Sequence, residues 1–534
     1  MSETMNKLND AAKLAGKGKM SRRDFTQLAL ASGLTLAAAD TMFSRAARAE
    51  PKKGGTLRLG LSQGATTDSL DPGLYYDQYT GTCMWGTLSN SLTEVDAKGN
   101  AVGDLAESFE SSDGAKKWVF KLPKGAVFHN GKDVTAEDVV ASYKHHSIAG
   151  TKSAAKSLLA PMESIKADGK HTVVITLSGG NADFSYICSD YHLPIMPANK
   201  DGTADWSSGV RTGPYSLVKF DPGVKTELTR NPHYFKTGKA WFDDVVGLSI
   251  KDTTARTNAL NAGEIDYMQS CDLKTLDLLK ANPNLVIFEK TGYAHNIYVM
   301  DCTSKPLDNP DVRNAIKYSI DRQSVLEKIF LNHGTVGNDN SISPAVKFAV
   351  DPMPKHVYDP AMAKSLLKKA GLDSLKIDVS VAETAFTGAT DTALIWQESA
   401  KACGIEVNVI REPEDSYWDN VWMKKPICAT YWSGRPNCDW MFTTAYAKDA
   451  AWNDTKWYNT RFNELLVAAR VETDEKKRAA MYAEMQQLLH DDGGLINVVF
   501  NSFVDAHANT LAHGDTAANW PMDGMKIAER WWFA

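Results

Sequence analysis

The chain has 534 residues, 43% hydrophobic and 23% charged, which excludes a disordered or collagen-like polymer and allows several domain-sized units or a few large lobes. The formal charge is −6, and the lack of a basic excess excludes a general nucleic-acid binder. Beyond the N-terminus no apolar run reaches the roughly 18–20 residues a bilayer span needs.

Taken in chain order, the first segment is an address. Ser21-Arg22-Arg23-Asp24-Phe25-Thr26 precedes an apolar stretch from about Leu28 to Ala39, and Ala47-Arg48-Ala49 stands before Glu50. Paired arginines, a short apolar region and an A-x-A site predict a twin-arginine secretory signal over residues 1–49, cleaved near Ala49/Glu50. No Cys directly follows the apolar region, so no lipid anchor is expected there and the product is expected to be free in the periplasm. The remaining chain holds 51 basic and 61 acidic residues. Seven cysteines (83, 188, 271, 302, 403, 428, 438) include no C-x-x-C, which argues against metal ribbons and thioredoxin-like motifs. An oxidising compartment permits disulfides, with Cys428–Cys438 and Cys271–Cys302 as candidate pairs.

Thr56–Leu61 alternates as a strand does, and residues 117–122 and 171–177 read the same way. Asn130-Gly131 marks a turn. Thr135, with Asp138 three residues on, opens a helix to about His146. Residues 245–250, 265–269, 285–290 and 296–300 are further strands. Asn309-Pro310 starts a helix predicted to run to about Phe330, Asp359-Pro360 repeats the device, and Gly371 ends that second helix. A strand at 375–381, a helix at 391–403 stopped by Gly404 and a strand at 405–410 form a β–α–β unit, hence a parallel pair with a right-handed crossover. Helices at 460–471 and 473–490 precede an apolar strand at 495–500. The pattern is mixed α/β in two large lobes, with ligands expected in the cleft between them.

Few motifs carry reaction chemistry. Gly60-Leu-Ser62-Gln-Gly64 follows a strand as a hydrolase elbow would, but the turn-rich residues 65–72 are poor material for the helix an elbow requires. No H-E-x-x-H, P-loop or dinucleotide fingerprint is present. The sequence therefore predicts no enzyme, no cofactor and no metal. Aromatic-rich loops remain: Leu74–Tyr79, Tyr431–Arg435 and Asp439–Phe442 set rings beside charged groups, which suits either core packing or a ligand cleft.

Several segments, in order and spacing, give the chain a family resemblance. They are Gly54-Gly-Thr-Leu-Arg58, Leu70-Asp-Pro72, Leu105-Ala-Glu-Ser-Phe109, residues 118–131 (W-V-F-K-L-P-K-G-A-V-F-H-N-G), Thr135-Ala-Glu-Asp-Val139, Thr212-Gly-Pro-Tyr215, Asn309-Pro-Asp-Val-Arg313 and residues 315–322 (A-I-K-Y-S-I-D-R). Across nearly the whole mature chain these resemble the solute-binding proteins of dipeptide/oligopeptide-type ABC importers, solute-binding family 5. The resemblance implies an α/β, two-lobed periplasmic binding protein of type II-like fold with an extra subdomain in the first lobe. It implies a first lobe over 50–92, 205–287 and 503–534, the subdomain over 93–204, and a second lobe over 288–502.

The resemblance also implies a monomeric, non-enzymatic receptor that closes on a small-molecule or peptide solute and hands it to membrane permease subunits. In peptide-binding relatives the loop matching 431–442 carries an Asp for the peptide's α-ammonium; here Arg435 stands at that place. A guanidinium suits a carboxylate instead, which points to a peptide or a small carboxylate-bearing, opine-like solute. The expected site comprises Tyr76, Asp77 and Tyr79 from the first lobe, with Gln78 between them, and Tyr431, Trp432, Arg435, Asp439 and Trp440 from the second. Arg435 would anchor an anion and Asp439 a donor or cation; alternatively Arg435 simply pairs with Asp439. Other readings are a receptor for a sugar, haem or metal chelate, a chaperone-like or signalling receptor, and an exported serine hydrolase using Ser62.

Overall fold

One sheet of eleven strands runs through the computed structural model, which describes residues 11, 20, 22–32, 51–75, 77–156, 158–413, 417–448, 450 and 452–534. Its strands are β1 (Thr56–Leu61), β2 (Tyr215–Asp221), β3 (Lys225–Arg230), β4 (Asp244–Ser249), β5 (Tyr267–Met268), β6 (Leu285–Met300), β7 (Gly334–Val336), β8 (Leu375–Val381), β9 (Ile405–Arg411), β10 (Ile427–Trp432) and β11 (Leu495–Ala508). From edge to edge the order is β9-β8-β10-β6-β11-β5-β1-β4-β3-β2, with β7 on β11. At one end β1 lies parallel to β4 and β5; at the other β8 lies parallel to β9. Helix α2 (Ala389–Lys401), which follows α1 (Thr253–Asn261), makes the β8–β9 crossover that periodicity predicts.

The two halves of the sheet are joined by β6 and β11, strands of 16 and 14 residues against a usual five or six. They pair antiparallel from Leu285↔Ala508 to Thr291↔Ser502, break, and resume at His295↔Phe500. Gly292, Tyr293 and Ala294 thus lie opposite Asn501 alone. A Cβ on Gly292 would come within 2.7 Å of the Phe503 ring, so glycine lets the strand pass. Alternation fails at that point, which is why the sequence reads separate strands at 285–290 and 296–300 where the chain has one.

Three main cores surround this spine. One gathers Ile297, Trp396, Phe442, Tyr482 and Val498. A second, from Leu92 to Ile195, packs under a four-stranded antiparallel sheet of Ser108–Ser112, Lys117–Lys121, Thr172–Leu177 and Met162–Ala167. A third holds Leu57, Tyr75, Tyr79, Trp85, Tyr215 and Trp531.

Local signals explain most helix ends. The Asp138 carboxylate accepts from the Thr135 backbone N–H (2.8 Å) and hydroxyl (2.7 Å) at the start of Ala136–His145. Asn309 and Asp359 cap helices that begin at Pro310 and Pro360. The single helix expected over 310–330 is instead two, Pro310–Lys317 and Arg322–Lys328. Asp321 restarts the turn by accepting from Ser324 N–H, and the break delivers the Arg322 guanidinium to buried Asp339 at 2.7 Å. Helices α3 (Cys438–Ala445), α4 (Thr460–Val471) and α5 (Glu475–Asp492) follow β10, and α5 is capped by Asp474 rather than Thr473.

All seven cysteines are free thiols, so neither candidate disulfide forms. Cys428 is buried within β10, and Cys438 donates to the Lys347 carbonyl from the first turn of α3. The arginine pair lies on the helix Arg22–Ala31; the cleavage region 47–50 lies outside the described residues. No helix among the described residues is long and apolar enough to cross a membrane.

Candidate functional site

Parallel strands place their carboxyl ends, and the loops that follow, around a common crevice. Here β1 runs into Ser62, β5 into Ser270 and β8 into Glu383, and a cavity of about 890 Å³ opens among such loops. Gln78, Arg256 and Asp272 line it from one half of the sheet, Phe330, Phe386 and Tyr431 from the other, with Asn296 and Asn501 of the spine between them. The Arg256 guanidinium is spent on its own scaffold, donating to the carbonyls of Ile250, Lys251, Gln269 and Ser270 and to the Thr253 hydroxyl. Glu383 accepts from Gly388 and Thr390 N–H at the start of α2. Burial pushes Asp505 up to about 6, although the Tyr267 hydroxyl and Ser270 N–H both donate to it. Asn501 donates to the Asn296 side chain, while its own buried Oδ1 has no partner among the described residues.

The loop between β10 and α3 continues from this cavity. Gly434 sits at φ +79°, and a Cβ there would approach the Tyr293 carbonyl to 2.3 Å, so the loop folds down on the spine only with glycine. Trp432 is buried with its indole N–H on Asp454 at 3.3 Å, and Trp422 donates to the same oxygen at 3.2 Å. Burial pushes Asp454 up to about 7 against the pull of these donors.

Between Trp432 and Trp440 lies Arg435, its guanidinium 5.8 Å and 5.9 Å from the two ring centres. Its Nη1 donates to the Gly434 carbonyl (2.6 Å) and the Ser433 hydroxyl (3.3 Å), and among the described residues it makes no ion pair. Burial lowers the Arg435 pKa, opposed by the more distant charges of Asp190 and Tyr191. Tyr191, packed against the third core, meets Trp520 edge-on at 5.4 Å. Burial raises the Tyr191 pKa, and Asp190, Arg435 and Asp77 all act on it.

The expected site residues separate into two groups. Trp432, Arg435 and Trp440 are brought together, while Tyr431 lines the neighbouring cavity. Asp439 is not available as expected: its carboxylate takes Arg470 Nε at 3.1 Å rather than Arg435 or an open cleft, and burial pushes it up to about 6. The alternative Arg435–Asp439 pair is therefore not formed either. Tyr79 is a core residue, wholly buried with its hydroxyl on Thr226 and the Gly247 carbonyl, because β4 and β3 close over it. Asp77 spends Oδ1 on the N–H and hydroxyl of Thr80, capping the next turn. Tyr76 lies outside the described residues. Ser62 donates to the Gln269 side-chain oxygen, not to a histidine base, and no helix follows it, which removes the support for a hydrolase elbow.

The sequence reading missed Phe330, Phe386 and Glu383, which belong to segments apolar or polar enough to pass for core or loop, and Tyr191 and Trp520, whose only signal was aromatic type.

Comparison with known proteins agrees with this architecture. Residues 100–454 match the model of the bacterial extracellular solute-binding proteins, family 5, middle region. The chain is 26% identical over 429 residues to haem-binding protein A of Haemophilus influenzae, covering 74% of this chain and 78% of that one. It is 24% identical over 477 residues to di/tripeptide-binding protein 1 of Pseudomonas aeruginosa, covering 79% and 85%. A periplasmic binding protein from A. tumefacien R10, solved with agropinic acid, superposes with a TM-score of 0.70 at 22% identity, covering 90% of this chain and 99% of that one. With its two-lobed type II periplasmic-binding fold and a family match over most of its length, the chain belongs to the bacterial extracellular solute-binding proteins of family 5.

Proposed function

We propose that this protein captures a peptide or a small carboxylate-bearing, opine-like solute between its lobes and delivers it to the permease of an ABC importer. The observation that carries the reading is Arg435, a partly desolvated guanidinium held between two tryptophan rings with no ion pair among the described residues. Such a group gains most from an acid brought by the solute, because its fork matches two carboxylate oxygens. Tyr431 and the aromatic wall of the adjoining cavity would then hold an apolar body. The relatives that bind di/tripeptides and the neighbour crystallised with agropinic acid support a solute of this class.

Export through the twin-arginine signal, release into the periplasm and action as a monomer complete the reading. Separate cores over 92–195 and 293–499 support the lobe and subdomain boundaries expected from the sequence. Closure requires that the solute favour the closed arrangement, since equal affinity for both shifts nothing.

The test is a thermal-shift screen of the mature protein with peptides, opines, other free carboxylic acids, sugars, haem and metal chelates. A solute at ~1,000 times its Kd stabilises the native state by about 4 kcal/mol. The expected hits carry a free carboxylate and fail when it is esterified. Arg435→Ala then weakens them by roughly 1.5–3 kcal/mol, the value of a hydrogen bond to a charged group. Hits confined to sugars or haem, or unchanged affinity in Arg435→Ala, would sink the reading.

A further inference from the structure

The residue that the sequence offers as a ligand carboxylate, Asp439, has a different job. Its partner Arg470 stands in the last turn of α4, with Nε 3.1 Å from Asp439 Oδ1 and Nη2 2.6 Å from the Thr443 hydroxyl, so both contacts fall on α3. The carbonyl of the same Arg470 accepts the N–H of Ala182 at 2.7 Å. Ala182 belongs to the other side of the molecule, packed on the core that runs from Leu92 to Ile195.

Beside it, Asp183 meets Arg478 of α5 at 2.6 Å, with side chains only 5% and 9% exposed. Tyr482 of α5 adds its hydroxyl to Asp183 at 3.3 Å, and Arg478 Nε donates to the Ala469 carbonyl of α4. The Arg478 guanidinium is held 5.5 Å from the ring centres of both Phe348 and Tyr482. These contacts form an unbroken path from Ala182 and Asp183 through α4 and α5 to α3, whose first turn starts three residues after Arg435.

A buried ion pair adds little net stability over an apolar contact, yet breaking it strands a charge. Such a contact is either fully made or fully lost, the property a latch needs.

We propose that Ala182 and Asp183 on one side, with Arg470, Arg478 and Tyr482 on the other, form an interlobe latch. Asp439 is then a positioning residue that transmits its closing to the Arg435 loop. The proposal rests on reading Tyr431–Trp440 as the solute loop, but its test needs no solute, so it stands or falls separately from the solute class.

The experiment is hydrogen–deuterium exchange of the full mature chain, wild type against Asp183→Asn, Arg470→Gln and Tyr482→Phe. Expected are a protected Ala182 amide in the wild type and roughly ten-fold faster exchange in Asp183→Asn, both in peptides over 181–188 and in peptides over 433–445. Arg470→Gln speeds 433–445 most. Tyr482→Phe deletes a single hydroxyl and is the gentle probe if Asp183→Asn folds poorly; it moves the same two segments in the same direction by less. Two results overturn the proposal: an Ala182 amide that exchanges freely in the wild type, or variants that release 181–188 while 433–445 keeps its wild-type rate.

Discussion

Two of the clusters that hold cations away from solvent in this molecule handle them in opposite ways. At one, Lys236, Lys526 and Arg530 meet Glu94, Asp104 and Glu529. Lys236 Nζ lies 2.5 Å from Asp104 and 3.1 Å from both glutamates, Lys526 lies 2.7 Å from Asp104 and 3.0 Å from Glu94, and Arg530 lies 2.8 Å from Glu94. Burial by itself would push Glu94 up, but the three cations hold it well below the usual carboxylate range. The three carboxylates lie close enough to suggest a cation site, and the protein's own cations fill that role. At the other place Arg435 has rings on two sides and no ion pair among the described residues. The first cluster ties residues 94–104 to the C-terminal segment and is complete without a partner. The second has no such counter-charge among the described residues.

The comparison breaks most visibly through stability. Lys526→Met strands buried carboxylates and is expected to cost about 3–5 kcal/mol, read as a fall in the denaturation midpoint. Arg435→Met should not behave like it, and equal losses in the two variants would erase the distinction.

The next effect depends on pH and concerns Asp454, the buried acid behind Trp432. Its folded pKa is about 7 against an ordinary 3.8. Between those values the native state keeps a proton that the unfolded chain has released, so this group's contribution falls as pH rises through the window. Asp454→Asn cannot titrate. Its stability relative to the parent should therefore climb from near zero at pH 4 to a gain on the order of 3 kcal/mol above pH 7, with Trp432 still bonded. A difference that stays flat with pH would show that Asp454 is ionised in the native state throughout.

The smallest effect sharpens the contrast. Arg435→Met removes a partly desolvated cation that has no ion pair among the described residues and keeps its bulk, so stability should remain within about 1 kcal/mol of the parent while acid binding is lost. Chemical denaturation beside calorimetric titration separates the two.

Much of the fold was legible because its signals are local. Asn309-Pro310, Asp359-Pro360 and Gly371 delimit helices through backbone chemistry within a turn, and the alternation of residues 56–61 and 375–381 survives intact in β1 and β8. The breaks in legibility are equally physical. Residues 291–295 lose alternation because β6 bulges where it passes between cores, and the helix at 310–330 divides because buried Asp339 recruits Arg322. For the loop after β10, residue type and position were enough to single out Trp432, Arg435 and Trp440, whose side chains meet in the structure. Tyr79 misled because an aromatic beside Asp and Gln looks the same in a core as in a cleft. Asp439 misled because its partner stands 31 residues away on another helix.

By itself the sequence determined most of the order of strands and helices, the family, and the presence of a cation in the loop after β10. Each depends on neighbours along the chain or on the identity of one residue. The tertiary structure alone decided which charges are spent and which remain. Pairing is a matter of distance in space: Arg530 finds Glu94 across 436 positions, Arg478 finds Asp183 on a distant stretch of chain, and Arg435 finds two rings and, among the described residues, no ion pair.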